Sequence, residues 1–215
     1  MGNALFDNVL VSNHPLIQDR LARLRDVRTG PSEFRVLVRQ LALLMAYEAT
    51  RELATVETEV RTPIAFARVR RLAARPICLV PVLRAGLGML DGMLELLPEA
   101  AVGHVGVERD ARTHLPSEYY CKLPHPAGDY LFFVADPMLA TGGSACHVVT
   151  ALKERGAVDI ALVCLIAAPE GIRRVHGVHP DVRIHVAAVD ERLDANAYIV
   201  PGLGDAGDRL FGTSH

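Results

Sequence analysis

The residues best suited to chemistry lie in Leu131 to His147, LFFVADPMLATGGSACH. An apolar run ends in Asp136; a turn follows, then Thr141-Gly142-Gly143-Ser144 and a helical pattern. Glycines let a backbone fold tightly and aim several N–H groups at one point. A helix start adds partial positive charge, and the two hydroxyls add donors. A phosphate monoester is the natural occupant. Asp136, at the carboxyl end of its strand, stands where α/β folds place ligands. Its carboxylate can accept from sugar hydroxyls or hold water on a magnesium ion. The plainer reading of the same residues is a strand-to-helix turn capped by Ser144. A Walker loop is not written here, because G-x-x-x-x-G-K-[ST] does not occur.

Two arginines are candidates for anion contacts. Arg84 follows an apolar run in VPVLRAG, and Arg109 sits in the polar segment GVERD. Arginine pairs bidentately with phosphate oxygens. Two glycine patterns imitate dinucleotide loops. Gly86-Leu87-Gly88 lacks its third glycine, since Asp91 holds that place. Gly202-Leu203-Gly204-Asp205-Ala206-Gly207 matches G-x-G-x-x-G in full, but eight residues follow it, fewer than the helix and second strand that fingerprint requires. A loop of this kind brings bare backbone close to a ligand, and a planar heterocycle with paired donors and acceptors would suit it.

These residues need a scaffold. Ile77 to Val80, Leu131 to Ala135, Ile160 to Ala167 and Ile184 to Val189 are short apolar runs of the kind covered on both faces of a parallel sheet. Helical patterns over about Gly86 to Leu97, Gly143 to Arg155 and Gly171 to His176 alternate with them. That alternation predicts a doubly wound α/β fold. Before them, Ile17, Leu21 and Leu24 recur at helical spacing from His14. Ser32 is expected to cap a second helix, with Glu33 in its first turn. Phe34, Leu37, Val38, Leu41 and Leu44 form its apolar stripe to about Leu53, with Arg35, Arg39 and Arg51 on the wetter side. Val56, Thr58 and Val60 alternate as a half-exposed strand. Glu108 to Pro124 reads as a protruding hairpin, and from Glu191 the chain is Gly- and Asp-rich without a helical period.

The 215 residues carry 23 Lys and Arg against 25 Asp and Glu, a net charge of −2, and half are hydrophobic. A chain of this size buries roughly 70% of its unfolded surface and is expected to form one domain. Its balance excludes a disordered chain and lacks the basic excess of a nucleic-acid coat. No apolar stretch reaches membrane-spanning length. Met1 to Leu10 holds Asp7 and no Lys or Arg, unlike a secretory leader. A cytoplasmic protein without nucleic-acid or membrane partners is expected. Cys78, Cys121, Cys146 and Cys164 form no C-x-x-C, and Cys78 and Cys164 read as buried thiols. His147, His176, His179 and His185 lack metal-ligand spacing and read as packed or solvated.

The chain resembles the uracil phosphoribosyltransferase family nearly end to end. The resemblance begins at His14-Pro15-Leu16 and runs through TGPSEFR (Thr29 to Arg35), YEATREL (Tyr47 to Leu53) and VPVLRAGLGMLDGMLELLP (Val80 to Pro98). It continues with DPMLATGGS (Asp136 to Ser144), IAAPEGI (Ile166 to Ile172) and YIVPGLGDAGDRLFGT (Tyr198 to Thr213). It implies one phosphoribosyltransferase-like domain over residues 1–215, with a doubly wound parallel sheet core, an N-terminal helical segment, a flap over about 108–124 and a C-terminal hood over about 191–215. The implied reaction joins uracil to phosphoribosyl diphosphate (PRPP), giving UMP and diphosphate. By the same resemblance Asp136, Pro137, Met138, Leu139, Ala140, Thr141, Gly142, Gly143 and Ser144 hold PRPP, with Thr141 to Ser144 on the 5-phosphate. Arg84 and Arg109 contact the diphosphate. Ile199, Gly204, Asp205 and Ala206 form the uracil site, and Asp205 also contacts PRPP. Magnesium is the implied cofactor, held mainly through PRPP and water rather than by a protein metal site. A homodimer or higher homo-oligomer is implied, and some family members respond to GTP.

The hairpin departs from the family pattern. Glu108 precedes Arg109 where tyrosine is common, and Ala111-Arg112 follow Arg109-Asp110 where an acidic pair is expected; Tyr119-Tyr120 is retained. Asp208 and Arg209 are expected to pair with each other or with neighbours and carry no assigned chemistry. A pyrimidine-responsive RNA-binding regulator of the same fold is the alternative function, for which Arg68, Arg70, Arg71 and Arg75 would be the basic patch. A dinucleotide oxidoreductase is a third class, weakened by the loop contexts.

Overall fold

The computed structural model describes residues 8–73, 75–109 and 116–213, with the side chains of 107–109 and 116–119 outside the description. The chain opens with β1 (Val9–Val11), α1 (Pro15–Arg25) and α2 (Pro31–Ala49). A hairpin of β2 (Thr55–Arg61) and β3 (Phe66–Leu72) follows, then β4 (Ile77–Pro81), α3 (Leu87–Leu96) and β5 (Ala101–Val102). Strands β6 (His104–Arg109) and β7 (Pro116–Lys122) form a second hairpin. Next come β8 (Leu131–Ala135), β9 (Met138–Leu139), α4 (Gly143–Glu154), β10 (Asp159–Ala167), α5 (Pro169–Val178) and β11 (Arg183–Val189). The chain then forms β12 (Arg192–Leu193), β13 (Ile199–Val200) and α6 (Ala206–Phe211).

The central sheet has the order β1-β11-β10-β8-β4-β5, with β9 added to the end of β10, and every pairing is parallel. Its strands are the apolar runs of the sequence because both faces are covered. On one face Leu79, Phe133, Val163 and Ala187 pack with Phe34, Leu37, Leu41 and Met45 of α2 and Met89 and Met93 of α3. On the other, Phe132, Val134, Leu162 and Cys164 pack with Val148, Val149 and Leu152 of α4 and Ile172 and Val175 of α5. The alternation of in-facing side chains along β8 feeds both layers, which is the doubly wound arrangement expected.

The topology fixes where a ligand goes. From β4 the chain leaves through α3 to the edge strand β5; from β8 it leaves through α4 to β10, in the opposite direction and across the opposite face. The two connections diverge above the carboxyl ends of β4 and β8, and that crevice is the binding position of open α/β sheets.

Several local expectations are corrected. Helix α2 begins at Pro31 with Gly30 as its N-cap and no side-chain cap, so Ser32 lies inside the helix; Pro at the first turn suits an N–H that has no partner there. The helix stops at Ala49 rather than Leu53, where the Thr50 hydroxyl bonds back to the Ala46 carbonyl. Of the basic tract, Arg68, Arg70 and Arg71 lie on strand β3, where Arg68 and Arg70 stand opposite Glu59 and Glu57 in its register with β2, while Arg75 lies beyond it and pairs with Asp159. Charges paired in this way read as a solvated hairpin face and lend no support to an RNA patch. The hairpin expected from Glu108 starts earlier, at His104. Three residues of β1 and six of α6 are too short to carry a period that sequence reading could find.

Candidate active site

The turn after β4 is built around a close approach. Val82 donates its N–H to the Ala135 carbonyl at 2.9 Å, and Gly86 donates to the Val82 carbonyl at 2.8 Å. A Cβ on Gly86 would collide with Ala135 O and with the backbone of Val82, so only glycine closes this turn over the end of β8. The turn lifts Arg84 into solvent, 65% exposed, with Nη2 3.7 Å from Asp208 Oδ1 of α6. The Leu83–Arg84 peptide is cis.

After β8, Asp136 donates its N–H to the Val163 carbonyl, and its carboxylate accepts from Met138 N–H at 3.2 Å. Residues 137–139 then lie across the end of β10: Pro137 O accepts from Leu165 and Ile166, and Leu139 O from Ala168. Gly142 is the N-cap of α4 at φ +74°, a backbone state that side chains rarely adopt. A Cβ there would sit 2.8 Å from Gly171 O, and one on Gly171 would strike the carbonyls of Leu139 and Ala140. The loop therefore rests backbone on backbone against the first turn of α5. The N–H groups of Ser144 and Ala145 open α4 without an intrahelical acceptor. Gly143 N–H lies 3.5 Å from Thr141 Oγ1, and Ser144 is exposed and caps nothing. Burial pushes the Asp136 carboxyl up to about 7, opposed by the Met138 N–H. The Cys164 thiol below it is fully buried and is raised first by burial and then by the Asp136 charge; Cys78 is raised to about 11 by burial.

The third wall is the C-terminal segment. Asp205 caps α6, its carboxylate accepting from Asp208 N–H at 2.9 Å. Three arginines hold this segment from behind. Arg25 donates to Gly202 O at 2.6 Å while paired with Asp190. Arg35 donates to Leu210 O at 2.8 Å. Arg209 donates to the carbonyls of Leu24, Leu203, Asp26 and Thr29, with its guanidinium 4.4 Å over the Phe34 ring. Arg209 thus pairs with backbone and not with Asp208, which takes the Thr213 hydroxyl instead. Sequence reading missed Arg25, Arg35 and Asp190. The one available sign was Asp190, an acid just past an apolar strand, the same placement as Asp136.

Arg84, Asp136, Met138, Ser144, Asp205 and Ala206 meet around one cleft of about 250 Å³, completed by Val82, Leu83, Ala85 and Gly207. Pro137, Leu139 and Ala140 to Gly143 form the loop behind it. Ile199 is buried, and Gly204 lines a separate cavity of about 470 Å³ with Arg25 and Arg209. The Arg109 side chain lies outside the described residues, as do Asp110 to Arg112. His179 is packed, its Nε2 3.1 Å from Thr150 Oγ1 and 3.2 Å from Cys146 O. Among the described residues no group of three or more His, Cys, Asp or Glu could hold a metal ion.

A doubly wound sheet with a glycine loop after one central strand, an arginine turn after its neighbour and the C-terminal segment as a third wall is the architecture of the phosphoribosyltransferase fold. The fold is shared with a purine phosphoribosyltransferase from Pyrococcus horikoshii, at a TM-score of 0.50 and 18% identity over 72% of this chain and 84% of that one. A protein structure from Aquifex aeolicus is more alike, with a TM-score of 0.87 and 38% identity over 96% of this chain and 99% of that one. The uracil phosphoribosyltransferase family model matches residues 11–213. A uracil phosphoribosyltransferase from Thermoanaerobacter sp. (strain X514) is 57% identical over 209 residues, 97% of this chain and 100% of the relative. The chain belongs to the uracil phosphoribosyltransferase family.

Proposed function

We propose that this chain transfers the 5-phosphoribosyl group of PRPP to N1 of uracil, releasing diphosphate and UMP. The observation that carries the reading is the single cleft shared by Arg84, the Asp136–Ser144 loop and Asp205–Ala206. A molecule with a phosphate at one end, a diphosphate at the other and a sugar between them matches that order of groups. The Thr141–Ser144 backbone receives the 5-phosphate, and Asp136 accepts from the ribose hydroxyls. Arg84 faces the diphosphate, and the family resemblance assigns Arg109 the same partner. Breaking the C1–oxygen bond puts negative charge on the leaving group and positive charge on the sugar, and fixed guanidinium groups favour the former. Uracil, held by the backbone at Asp205 and Ala206 with Ile199 and Gly204 adjoining, attacks C1 through N1 as the bond to diphosphate breaks, and its N1 proton passes to the released diphosphate or to water. No covalent nucleophile is required.

Magnesium fits the donor set. It keeps much of its water and uses one or two carboxylates plus substrate phosphates, and Asp136 and Asp205 are the carboxylates on this cleft. Bound there with PRPP, the ion supplies charge neutralisation on the diphosphate. A response to GTP, residence in the cytoplasm and homo-oligomer assembly belong to the same proposal. GTP rests on the family alone. For the cytoplasm, no described helix is long and apolar enough to cross a membrane. Assembly is supported by exposed Val56, Ile64, Phe66 and Leu72 on the β2–β3 hairpin and its turn.

The test is PRPP-dependent nucleotide release with uracil, cytosine and hypoxanthine in parallel. Uracil is expected to exceed cytosine by more than about tenfold, because exchanging donor and acceptor leaves buried backbone groups unpaired. Cytosine turnover within about tenfold of uracil would overturn a backbone-read base site.

A further inference from the structure

Arg174 belongs to none of the segments assigned above, yet it lies on the phosphate loop. It follows Gly171, on which the loop rests, by three residues of α5. Its Cβ flanks Gly142: a methyl built there would come within 3.3 Å of it. From that point the side chain extends over Gly143. A methyl on Gly143 would meet Arg174 Nη1 at 3.5 Å, Thr141 Oγ1 at 3.6 Å and Arg174 Cζ at 3.8 Å. The guanidinium and the Thr141 hydroxyl therefore border one spot at the start of α4, beside the open N–H groups of Ser144 and Ala145. The residue is exposed, and no ion pair engages it among the described residues. Its charge reaches the first turn of α4, where it opposes the rise that burial imposes on the Cys146 thiol.

We infer that Arg174 is a further binding residue for the 5-phosphate of PRPP, donating from its guanidinium to oxygens left open by the Thr141–Ser144 loop. The inference rests on reading that loop as the 5-phosphate site. Backbone N–H groups and hydroxyls are neutral donors, whereas the phosphate is an anion, and a guanidinium adds both charge and a planar pair of donors. Because no described carboxylate pairs with Arg174, the contact costs no ion pair among the described residues. The same stretch of α5 holds Arg173, also exposed, whose charge acts on Glu170 instead.

The test separates the two ends of PRPP by inhibition, with ribose 5-phosphate probing the loop end and diphosphate the Arg84 end, both measured against PRPP. In Arg174→Ala the Ki for ribose 5-phosphate is expected to rise about five- to twentyfold, the size of one charge-assisted contact near the surface. Arg174→Lys recovers part of that loss. The Ki for diphosphate, the KM for uracil and both Ki values of Arg173→Ala stay within about twofold. An unchanged ribose 5-phosphate Ki in Arg174→Ala, or an equal rise for both inhibitors, overturns the inference. Thr141→Ala locates the fault. If it weakens ribose 5-phosphate while Arg174→Ala does not, the loop reading stands and the inference falls; if neither does, both fall.

Discussion

Arg25 and Asp190, 165 residues apart in the chain, close on the two sides of Gly202. Asp190 Oδ2 accepts the Gly202 N–H at 2.9 Å, Arg25 Nη1 donates to the Gly202 carbonyl at 2.6 Å, and the two side chains pair at 2.5 and 2.7 Å. Asp190 is in turn fixed to the sheet, donating its N–H to Ala167 O. The C-terminal loop thus takes its position from an ion pair between the end of α1 and the end of β11. Asp190→Ala leaves the Arg25 guanidinium, 23% exposed, without its carboxylate and Gly202 N–H without its acceptor. A stability loss of about 3 kcal/mol is expected in denaturant melts. The KM for uracil should rise by about tenfold or more, with PRPP affected far less. Equal losses for both substrates would show that the pair supports the fold at large and not the base loop.

Arg84 reaches toward Asp208 with a 3.7 Å gap and 65% exposure, so it is free to turn onto a diphosphate. Arg84→Ala should raise the KM for PRPP or lower kcat while leaving uracil recognition largely intact. An unchanged PRPP KM with full kcat refutes its role.

Asp205 lines the cleft, and its carboxylate caps α6. Asp205→Ala should cost about 1 kcal/mol of stability for the lost cap. Its effect on UMP formation should be far larger, about a hundredfold or more, because the proposed reaction sets it against the reacting substrates. Activity near normal, with only the stability change, assigns Asp205 to the cap alone.

The Asp136 carboxyl, pushed up to about 7 by burial, is protonated in the free protein below that pH and charged above it. Accepting from ribose hydroxyls or holding water on magnesium needs the charged form. The PRPP-dependent kcat/KM is therefore expected to rise with pH through about 7 and level off above it. Asp136→Asn should abolish that limb and lower the plateau. A flat profile in the unmodified protein removes Asp136 from the binding step.

His185, 6% exposed on β11, has its pKa lowered to about 4 by burial and then by the Arg183 charge. A depressed folded pKa makes the contribution complete above the unfolded value of about 6.5 and loses it as pH falls toward about 4. Between about pH 7.5 and pH 5 the protein should lose about 2 kcal/mol from this residue. Melts at the two pH values are the measurement, and His185→Leu should shrink the difference. An unaltered pH dependence in that variant assigns the acid sensitivity to other groups.

By itself the sequence determined the sheet strands, because a strand buried on both faces must be apolar along its length, and Ile77, Leu131, Ile160 and Ile184 each open such a run. It likewise determined the stripe of α2 and the strand–Asp136–glycine–helix order, since each is a local pattern of side-chain size and backbone freedom. Tertiary structure alone decided what meets that loop. Gly171 and Arg174 approach it because α5 packs beside α4, and Arg84 faces Asp136 because β4 and β8 are neighbours in the sheet. The hold on Gly202 needs Arg25 and Asp190 from opposite ends of the chain. Period and composition report only near neighbours along the chain, whereas contacts of this kind follow from strand order and helix packing. Arg209 shows the difference: beside Asp208 in sequence it is open to pairing with that residue or with other neighbours, and folding carries its guanidinium into a nest of carbonyls from α1 and the loop after it.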